Sequence, residues 1–307
     1  MPETSEKTNL NEIDVSVVLA VYDERGHVKE EIDRIRNALE ASPYSYEIIA
    51  VDDGSTDGSG EELRQIDGIR LIQFQQNRGS GSARKAGTRA ARGRVVVWTD
   101  VDMTYPNDEI PLLVKEMDGW DQVVGARRTE AGTIKALRVP AKWFIRRLAS
   151  YLVQRTIPDL NSGLRAFRRD VAMQFLHLLP AGFSCVSTLT LAFLANGYSI
   201  KYVPIDYQPR AGRSKFHWWS DTQRYLTQVV RMILSWNPLR VFMPVGLLLT
   251  GTGLGKLVYD LISKDFRVGT NTLLIFFAAF QVISIGLVAD LLVRVTRPSN
   301  EVHPATL

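Results

Sequence analysis

The sequence predicts an α/β fold for residues 13–236, followed by two membrane-spanning helices within residues 239–293. Three observations lead to this prediction. Short runs of β-branched apolar residues alternate with segments of helical periodicity, the pattern of a sheet wound with crossover helices. The region 239–293 is far more apolar than the rest of the chain. Two acidic clusters follow predicted strands, and α/β sheets bind ligands where their strands end.

The first part of the chain predicts five strands, because five short apolar runs are bounded by turn-forming residues: residues 13–21, 46–51, 69–74, 94–99 and 122–126. Four helices are predicted between them by helical spacing of apolar residues, by small residues or by a proline near the start: residues 28–39, 58–66, 80–92 and 106–117. Strands that alternate with helices indicate a parallel sheet with right-handed crossovers.

Residues 132–236 have a more helical pattern, with amphipathic segments at 141–154 and 216–236. In the second segment a polar stripe lies opposite an apolar one. Trp218 and Trp236 are suited to the headgroup layer of a membrane, so we expect an interfacial helix. The alternative is a core helix of a globular domain.

Two apolar stretches predict a transmembrane hairpin. Residues 272–289 are 18 residues without a charge, and at about 1.5 Å per residue they span nearly 30 Å, close to the hydrocarbon thickness. Residues 241–262 form the first span, interrupted by Lys256, and the connecting loop 263–270 is short. A buried helical hairpin of a soluble protein is the alternative. The charged residues Asp260 and Asp290 lie near the span ends, where they can reach the interface or pair between helices.

Basic residues flank this hairpin on the outside: Arg224, Arg231 and Arg240 before it, and Arg294 and Arg297 after it. The connecting loop holds Lys264 and Arg267, partly balanced by Asp265. The excess of basic residues outside the loop places both termini, and with them the first domain, in the cytoplasm. The first dozen residues are polar, so we expect a disordered N-terminus and no cleaved signal peptide.

Composition and charge narrow the class of partner. The formal net charge of +4 fits a protein beside an anionic membrane or one that binds a polyanionic ligand. The basic residues are scattered and form no arm or stripe, which disfavours nucleic acid. Cys185 is the only cysteine, so the chain forms no intrachain disulfide.

Two acidic pairs predict a metal-assisted polyphosphate site. Asp52 and Asp53 follow the second predicted strand, and Asp100 and Asp102 follow the fourth. In an extended segment the side chains of residues 100 and 102 point to the same side. Mg²⁺ and Mn²⁺ bind carboxylate oxygens and share phosphate oxygens with a ligand. By itself an Asp-x-Asp pair also occurs in solvated turns.

The motifs resemble those of family 2 glycosyltransferases, which have a GT-A fold. Residues 51–58 (Val-Asp-Asp-Gly-Ser-Thr-Asp-Gly) are similar to the family signature, and Asp100-Val101-Asp102 stands where the family has its metal motif. Residues 20–24 resemble its Pro-x-Tyr-Asn-Glu loop, and residues 159–165 its Ser-Gly-Phe-Arg acceptor segment. Residues 210–215 resemble the Arg-x-x-Gly-x-Ser-Lys segment of dolichyl-phosphate mannose synthases and related polyprenyl-phosphate glycosyltransferases.

The resemblance implies a role for each matching residue. The nucleotide-sugar would be bound by residues of the first four loops: Tyr22, Glu24, Asp52, Asp53, Gly79 and Asp100. Asp102 would bind Mg²⁺ or Mn²⁺. The acceptor phosphate would be met by Arg165, Ser214 and Lys215, and catalysis would depend on Asp102, Arg165, Arg210 and Lys215. Arginine suits phosphate because its planar fork binds two oxygens at once.

The implied reaction is inverting transfer of a hexose from a nucleotide-sugar of the UDP-glucose or GDP-mannose type to a polyprenyl phosphate. The alternatives are transfer to a lipid or glycan hydroxyl, and a non-catalytic membrane scaffold. Two departures from the family stand out: Thr104 occupies the place of a metal-shell glutamine, and residues 184–188 lack an acidic general base. A phosphate monoester is already ionised near neutral pH, so this acceptor needs no base.

The expected organisation is a disordered N-terminus (1–12), a GT-A catalytic domain (13–215), an interfacial helix (216–236), the transmembrane hairpin (239–293) and a C-terminal tail (294–307). The expected partners are the nucleotide-sugar, the polyprenyl phosphate and membrane lipids. Oligomerisation through the transmembrane helices is left open.

Overall fold

The structure is a computed structural model of the 307-residue chain, and it describes residues 13–128, 157–208, 238–263 and 267–296. The chain divides into two compact units, Met1–Gln228 and Val229–Leu307. Four segments with sequence-based predictions lie outside the described residues. They are the predicted disordered N-terminus, the predicted amphipathic segments 141–154 and 216–236, and the predicted phosphate-binding segment 210–215.

Seven strands are found among the described residues of the first unit: β1 (Val15–Val21), β2 (Tyr46–Asp52), β3 (Ile69–Gln73), β4 (Val95–Thr99), β5 (Gln122–Arg127), β6 (Arg165–Arg168) and β7 (Ile200–Ile205). They form one sheet in the order β3-β2-β1-β4-β6-β5-β7. Strands β1 to β4 are parallel to their neighbours in that group, whereas β6 runs antiparallel to both β4 and β5. The expectation of a purely parallel sheet is therefore wrong, because a short reversed strand is inserted at its centre.

The described residues of the first unit contain the helices α1 (Val28–Glu40), α2 (Ser59–Arg64), α3 (Ser80–Ala90), α4 (Ile110–Lys115), α5 (Arg169–Phe175) and α6 (Cys185–Ala195). The first four lie where the sequence predicts helices, and the last two were not predicted. The predicted helix 106–117 is divided into a 3₁₀ turn, Asn107–Glu109, and the short α4. Helix α1 presents Ile32, Ile35 and Leu39 to the core, where each is fully buried. Burial of one such side chain stabilises the fold by about 1.5–3 kcal/mol.

The core positions the loops that carry the motifs. Strands β1, β2 and β4 are almost fully buried, since Val17, Ile49 and Val97 have no exposed surface. These strands are parallel, so their carboxyl ends all open at the same edge of the sheet. The loops that follow them contain five of the sequence-predicted site residues: Tyr22, Glu24, Asp53, Asp100 and Asp102.

The second unit contains a helical hairpin of α7 (Leu239–Ser263) and α8 (Thr270–Thr296). Both helices are long and apolar enough to cross a membrane, and few of their residues are buried in the protein. Two glycines allow the helices to pack closely: a Cβ on Gly246 would lie 2.4 Å from Ile283, and one on Gly286 would lie 2.6 Å from Phe242. Small residues at such contacts are a common means of helix association in membranes.

Asp260 joins the two helices of the hairpin. Its fully buried carboxylate accepts hydrogen bonds from the Gly269 backbone N–H (3.0 Å) and from Thr272 Oγ1 (2.5 Å), both at the start of α8. Lys256, one turn earlier on α7, lies 2.7 Å away. The carboxylate therefore caps the N-terminus of α8, a position where a negative charge is favourable.

Candidate active site

The loops after β1 and β2 are bound to each other at the carboxyl edge of the sheet. Asp23 donates its backbone N–H to Ser55 Oγ (3.1 Å) and accepts a hydrogen bond from the Thr56 N–H (2.8 Å). The backbone N–H of Glu24, whose side chain is half-buried, donates to Ser59 Oγ (2.9 Å). Asp23 has a positive φ of 49°, an uncommon conformation for a residue other than glycine. Ser55 and Thr56 of the acidic signature, with Ser59 directly after it, thus fix the shape of this double loop.

Asp52 and Asp53 point in different directions from the end of β2. The Asp52 carboxylate, 4% exposed, accepts hydrogen bonds from the Ser55 N–H (2.9 Å) and from Gln73 Nε2 (3.1 Å). Asp53 instead accepts the Arg78 N–H (2.7 Å), and burial raises the pKa of its carboxyl group. Asp52 therefore holds the loop together, whereas Asp53 holds the turn that precedes α3.

That turn lies beside Tyr22 and beside a second loop. The half-buried Tyr22 side chain interacts with Asn77, and its pKa is raised by the charge of Asp23 and by burial. Gly79 has a φ of 89°, and a Cβ there would lie only 2.4 Å from the carbonyl oxygen of Ala181. Glycine is needed at this position both for the backbone conformation and for the close approach of the 180–182 loop.

Asp100 forms an ion pair with Arg84, a residue that the motif comparison did not single out. Arg84 extends from α3 with 3% of its side chain exposed, and its Nη2 lies 2.5 Å from Asp100 Oδ1. Its guanidinium also lies over the Trp98 ring, 5.8 Å from the centroid, and 3.8 Å from Cys185 Sγ. Asn107 donates a hydrogen bond to the Asp100 carbonyl (3.1 Å). Asp100 is thus held through both its side chain and its backbone.

Asp102 is held by Thr104. The Thr104 hydroxyl donates to Asp102 Oδ1 (2.5 Å), and its backbone N–H approaches the same oxygen at 3.3 Å. Met103, between them, has a φ of 62°. This conformation is strained for a non-glycine residue, and such residues concentrate at functional sites. Both Asp102 and Thr104 are buried.

The predicted acceptor segment lies against the metal motif. Tyr105, three residues after Asp102, accepts a hydrogen bond from the Gly163 backbone N–H at 2.6 Å. A Cβ on Gly163 would lie 2.8 Å from Asp100 Oδ2, so a side chain here would require the Asp100 carboxylate to move. The structure therefore brings the segment around residue 163 directly beside the carboxylate of Asp100.

Arg165 is not placed as the sequence led us to expect. Its side chain is fully buried, and its guanidinium donates to the carbonyls of Ser162 and Val186 (2.5 Å) and to Thr190 Oγ1 (2.7 Å). Burial lowers the pKa of Arg165 to about 10. These contacts join the acceptor segment to the first turns of α6, and the expected contact of Arg165 with phosphate stays a prediction.

A second arginine borders the acceptor segment. Arg127, at the end of β5, forms a two-pronged ion pair with Asp159 through Nε (2.7 Å) and Nη2 (3.0 Å). Burial raises the pKa of Asp159, but the hydrogen bonds and charge of Arg127 outweigh burial and hold it below its ordinary value. The Arg127 guanidinium also stacks on Tyr207, whose ring meets that of Tyr105 edge-on at 5.1 Å.

The family assignment follows from comparison with known proteins. The sequence profile of "Glycosyl transferase family 2" matches residues 16–176, which is more than half of the chain, and that of "GtrB C-terminal hairpin" matches residues 237–295. The chain belongs to glycosyl transferase family 2. The predicted family and the predicted GT-A fold are confirmed, and the chain is a glycosyltransferase.

Two curated relatives of this family 2 glycosyltransferase carry names that state an acceptor. A dolichyl-phosphate hexose transferase of Haloferax volcanii is 36% identical over 207 residues, which cover 66% of this chain and 86% of the relative. An undecaprenyl-phosphate 4-deoxy-4-formamido-L-arabinose transferase of Photorhabdus laumondii is 29% identical over 299 residues, which cover 92% of this chain and 89% of the relative. Both names describe transfer to a polyprenyl phosphate.

Solved structures of the same fold include glucosyl-3-phosphoglycerate synthase from Mycobacterium tuberculosis, determined with Mn²⁺, UDP and phosphoglyceric acid. Its TM-score is 0.59 at 22% identity, covering 72% of this chain and 78% of that one. A likeness at this level of identity concerns the GT-A fold.

The described part of this glycosyltransferase thus brings together Tyr22, Asp53 and Gly79 around one turn, and it brings Asp100 beside Gly163 of the acceptor segment. The positions of Arg210, Ser214 and Lys215 lie outside the described residues. A signal for Arg84 was present in the sequence. It lies three residues after Gly81 and four before Thr88, on the buried small-residue face of α3, where an arginine requires a partner.

Proposed function

We propose that this glycosyltransferase transfers a hexose from a nucleotide diphosphate sugar to a polyprenyl phosphate at the cytoplasmic face of a membrane. The observation that carries the proposal is the approach of the acceptor segment to the metal motif, with Gly163 beside Asp100. In the proposed assignment this contact would join the donor side of the site to the acceptor side, in a chain that also has a transmembrane hairpin.

The carboxylates fit a divalent cation that is shared with the substrate. Among the described residues, no three His, Cys, Asp or Glu side chains form a complete metal cage. Mg²⁺ is commonly bound by one or two carboxylates and completed by substrate phosphates and water. Asp102 would hold the cation with Asp100 beside it, and the bound cation would neutralise charge on the leaving nucleoside diphosphate. The solved structure of the same fold with Mn²⁺ and UDP supports a divalent cation as the cofactor.

The chain's own residues support an acceptor that is already ionised. Near the acceptor segment, Asp100 is paired with Arg84 and Asp159 with Arg127. A carboxylate whose pKa is lowered by an arginine is a weak base, as at Asp159. A lipid phosphate needs no proton removed before it attacks the anomeric carbon, and a sugar hydroxyl does.

The expected roles are assigned accordingly. Tyr22, Glu24, Asp53, Gly79 and Asp100 would bind the nucleotide-sugar, with Asp52 holding the double loop in shape. Arg165 would position the acceptor segment from within. Cationic and hydroxyl groups of the segment 210–215 would bind the two phosphates: Arg210, Ser214 and Lys215. In-line attack of a lipid phosphate oxygen on the anomeric carbon would form the new bond as the bond to the nucleoside diphosphate breaks, and it would invert the configuration at that carbon.

Incubation of the detergent-solubilised full chain with radiolabelled nucleotide-sugars, Mn²⁺ or Mg²⁺ and undecaprenyl phosphate tests the proposal. Label should move to the lipid fraction with at least one donor of the UDP-glucose or GDP-mannose type. Asp102→Asn should abolish metal-dependent transfer while the protein remains folded, and a surface substitution such as Arg89→Met should have no effect.

Each outcome separates one part of the proposal from another. Transfer to a lipid or glycan hydroxyl but not to the lipid phosphate would replace the proposed acceptor. Hydrolysis of the nucleotide-sugar without any transfer would contradict the acceptor assignment and leave the donor site in place. Absence of both binding and turnover across the donors would favour a scaffold.

A further inference from the structure

Helix α1 holds the metal motif through two side chains that lie in none of the recognised motifs. Glu31 of α1 and Asn107, at the start of the 3₁₀ turn, have no exposed surface. The amide Nδ2 of Asn107 donates hydrogen bonds to Glu31 Oε2 and to the backbone carbonyl of Asp100 (3.1 Å). One buried amide group therefore connects the helix to the residue that opens the metal motif.

The neighbours of this amide determine its orientation. The backbone carbonyl of Asp100 can only accept a hydrogen bond, so the amide NH₂ of Asn107 must face it, and the second hydrogen of that NH₂ is taken by Glu31. The amide oxygen then faces Thr99, the last residue of β4, whose hydroxyl donates to it at 2.5 Å. A buried polar network in which each member has a partner is rigid and specifies one arrangement.

Arg34, three residues after Glu31, adds a second contact between α1 and the same loop. Its Nη1 lies 3.3 Å from Glu31 Oε1 and 3.3 Å from the carbonyl oxygen of Tyr105, and its Nη2 pairs with Asp108. The side chains of Arg34 and Asp108 are 34% and 56% exposed, and exposed pairs contribute only about 0–1 kcal/mol. We therefore expect the buried contacts of Glu31 to provide more of the connection.

The charge of Asp102 also reaches Glu31. Burial raises the pKa of Glu31, hydrogen bonds from Asn107 and Arg34 oppose this increase, and the charge of Asp102 adds to it. Like charges in a site that is shielded from water repel each other. A cation held by Asp102 would therefore be favourable for both carboxylates.

We propose that Glu31 and Asn107 are positioning residues that direct the Asp100 and Asp102 side chains toward the cation and the nucleotide diphosphate. Asn107 fixes the Asp100 peptide, from which the metal motif continues, and Glu31 holds Asn107 in the orientation that this requires. Both residues are fully buried, so they act through Asp100 and not by contact with the substrate. The inference rests on the cation site of the proposed function.

Two single variants test the pair. Glu31→Gln keeps the shape of the side chain but has one acceptor oxygen, whereas Asn107 and Arg34 donate to separate oxygens of the glutamate. Asn107→Leu keeps the branched shape and removes the hydrogen bond to the Asp100 carbonyl. The affinity of the full chain for Mn²⁺ is measured by electron paramagnetic resonance with UDP and with GDP, and the nucleotide that the wild type binds is kept for all variants.

Loss of a group that orients a metal ligand typically weakens metal binding about 10- to 100-fold. Both variants should therefore weaken Mn²⁺ binding by about tenfold and change the spectrum of the bound ion, since its ligands are no longer held in one arrangement. The melting temperature of each protein is measured without metal, which records the effect on stability separately.

The double variant Glu31→Gln/Asn107→Asp separates positioning from stability. It keeps the net charge and restores a hydrogen bond between positions 31 and 107 with donor and acceptor exchanged, but it leaves the Asp100 carbonyl without its donor. Compared with Asn107→Asp alone, which sets two carboxylates against each other, the double variant should recover melting temperature. Its Mn²⁺ affinity should stay about tenfold below that of the wild type.

Glu47→Gln is the matched control for the loss of a buried carboxylate. The Glu47 side chain is 9% exposed, accepts a hydrogen bond from Ser16 Oγ (2.7 Å) and pairs with Arg70 (2.7 Å). It lies near the amino-terminal end of β2, away from the edge of the sheet that carries the metal motif. This variant should lose melting temperature and keep the wild-type Mn²⁺ affinity and spectrum.

Two results would overturn the inference. Lowered melting temperatures of Glu31→Gln and Asn107→Leu with wild-type Mn²⁺ affinity and spectrum would make the pair purely structural. Full recovery of Mn²⁺ binding in the double variant would remove the role of the Asp100 carbonyl. A wild-type protein that binds Mn²⁺ with neither nucleotide would refute the proposed cation site and the inference with it, whereas intact Mn²⁺ binding without transfer to the lipid would refute only the proposed acceptor.

Discussion

The ion pair between Arg84 and Asp100 should contribute measurably to donor binding. The two side chains are 3% and 34% exposed, and Nη2 lies 2.5 Å from Oδ1. Breaking a fully buried pair costs about 3–5 kcal/mol, and exposed pairs contribute about 0–1 kcal/mol. Because a third of Asp100 is exposed, water can partly replace the arginine. The expected cost of removing the pair is therefore about 1–2 kcal/mol, or roughly 5- to 30-fold in affinity.

A double-mutant cycle measures how much the ion pair between Arg84 and Asp100 contributes to donor affinity. Arg84→Met keeps the apolar stem of the side chain, and Asp100→Asn keeps the shape of the carboxylate. The dissociation constant for Mn²⁺ with UDP is measured by calorimetry for wild type, each single variant and the double variant. We expect a coupling energy of about 1–2 kcal/mol. Arg89→Met, on the exposed face of the same helix, is the control and should be within about 0.5 kcal/mol of wild type.

Additive effects of the two substitutions, with coupling below about 0.5 kcal/mol, would refute the reasoning, since independent sites add to within that margin. The stability of Arg84→Met gives a second check. Among the described residues, Arg84 Nε has no hydrogen-bond partner although it is buried. Leaving such a donor unsatisfied costs about 1–3 kcal/mol of unfolding free energy. Methionine has no such donor, so the substitution removes this cost and offsets part of the stability lost with the ion pair. Unfolding stability should therefore fall less than donor affinity.

Three further changes should each affect one part of the molecule. Gly81→Ala would place a Cβ 2.2 Å from a backbone carbonyl oxygen of the 180–182 loop. The free energy of unfolding, measured in urea, should fall by about 1–3 kcal/mol. Gly182→Ala is the control and should leave it unchanged, because the space around Gly182 is open. Because the pKa of Asp159 is lowered in the folded protein, its carboxylate stabilises the fold at pH values above the ordinary pKa of 3.8. This stabilisation is lost as the pH falls through the lower pKa of the folded state. Asp159→Asn should therefore flatten the acid branch of a plot of unfolding stability against pH. If the acid branches of variant and wild type coincide, the ion pair with Arg127 does not stabilise the fold. Asp260→Ala should destabilise the hairpin by about 1–2 kcal/mol in a detergent unfolding assay, and Asp260→Asn should be milder because it retains one acceptor oxygen.

Local sequence patterns were sufficient for the first five strands because each is a short, mostly apolar run bounded by turn-forming residues. The two missed strands lack that pattern for identifiable reasons. β6 has only four residues, Arg165–Arg168, and half of them are arginines. β7 contains Pro204, which argues against a central strand, and it lies at the edge of the sheet, where a proline is tolerated. Their places depend on pairing with β4 and β5, which no local pattern contains.

For the candidate site, the sequence predicted where the loops lie but not where each side chain points. The motifs located the loops correctly, because the carboxyl ends of parallel strands meet at one edge whatever the side chains are. The direction of each side chain was not predictable in the same way. Asp52 and Asp53 are neighbours with the same chemistry, yet one faces Gln73 and the other Arg78. Arg165 matches a motif arginine, but its partners are carbonyls that only the folded chain brings to it.

A common arrangement explains these differences. Three carboxylates of the site are each held by a different group: Asp53 by the turn before α3, Asp100 by Arg84 of α3, and Asp102 by Thr104 of its own loop. Like-charged groups held close together repel one another, so without these contacts the loops would separate. A bound cation and the cationic segment 210–215 would relieve the same repulsion when the diphosphate arrives. The protein contacts therefore keep the acidic edge of the sheet assembled before the substrate binds, which reduces the reorganisation needed at the moment of reaction.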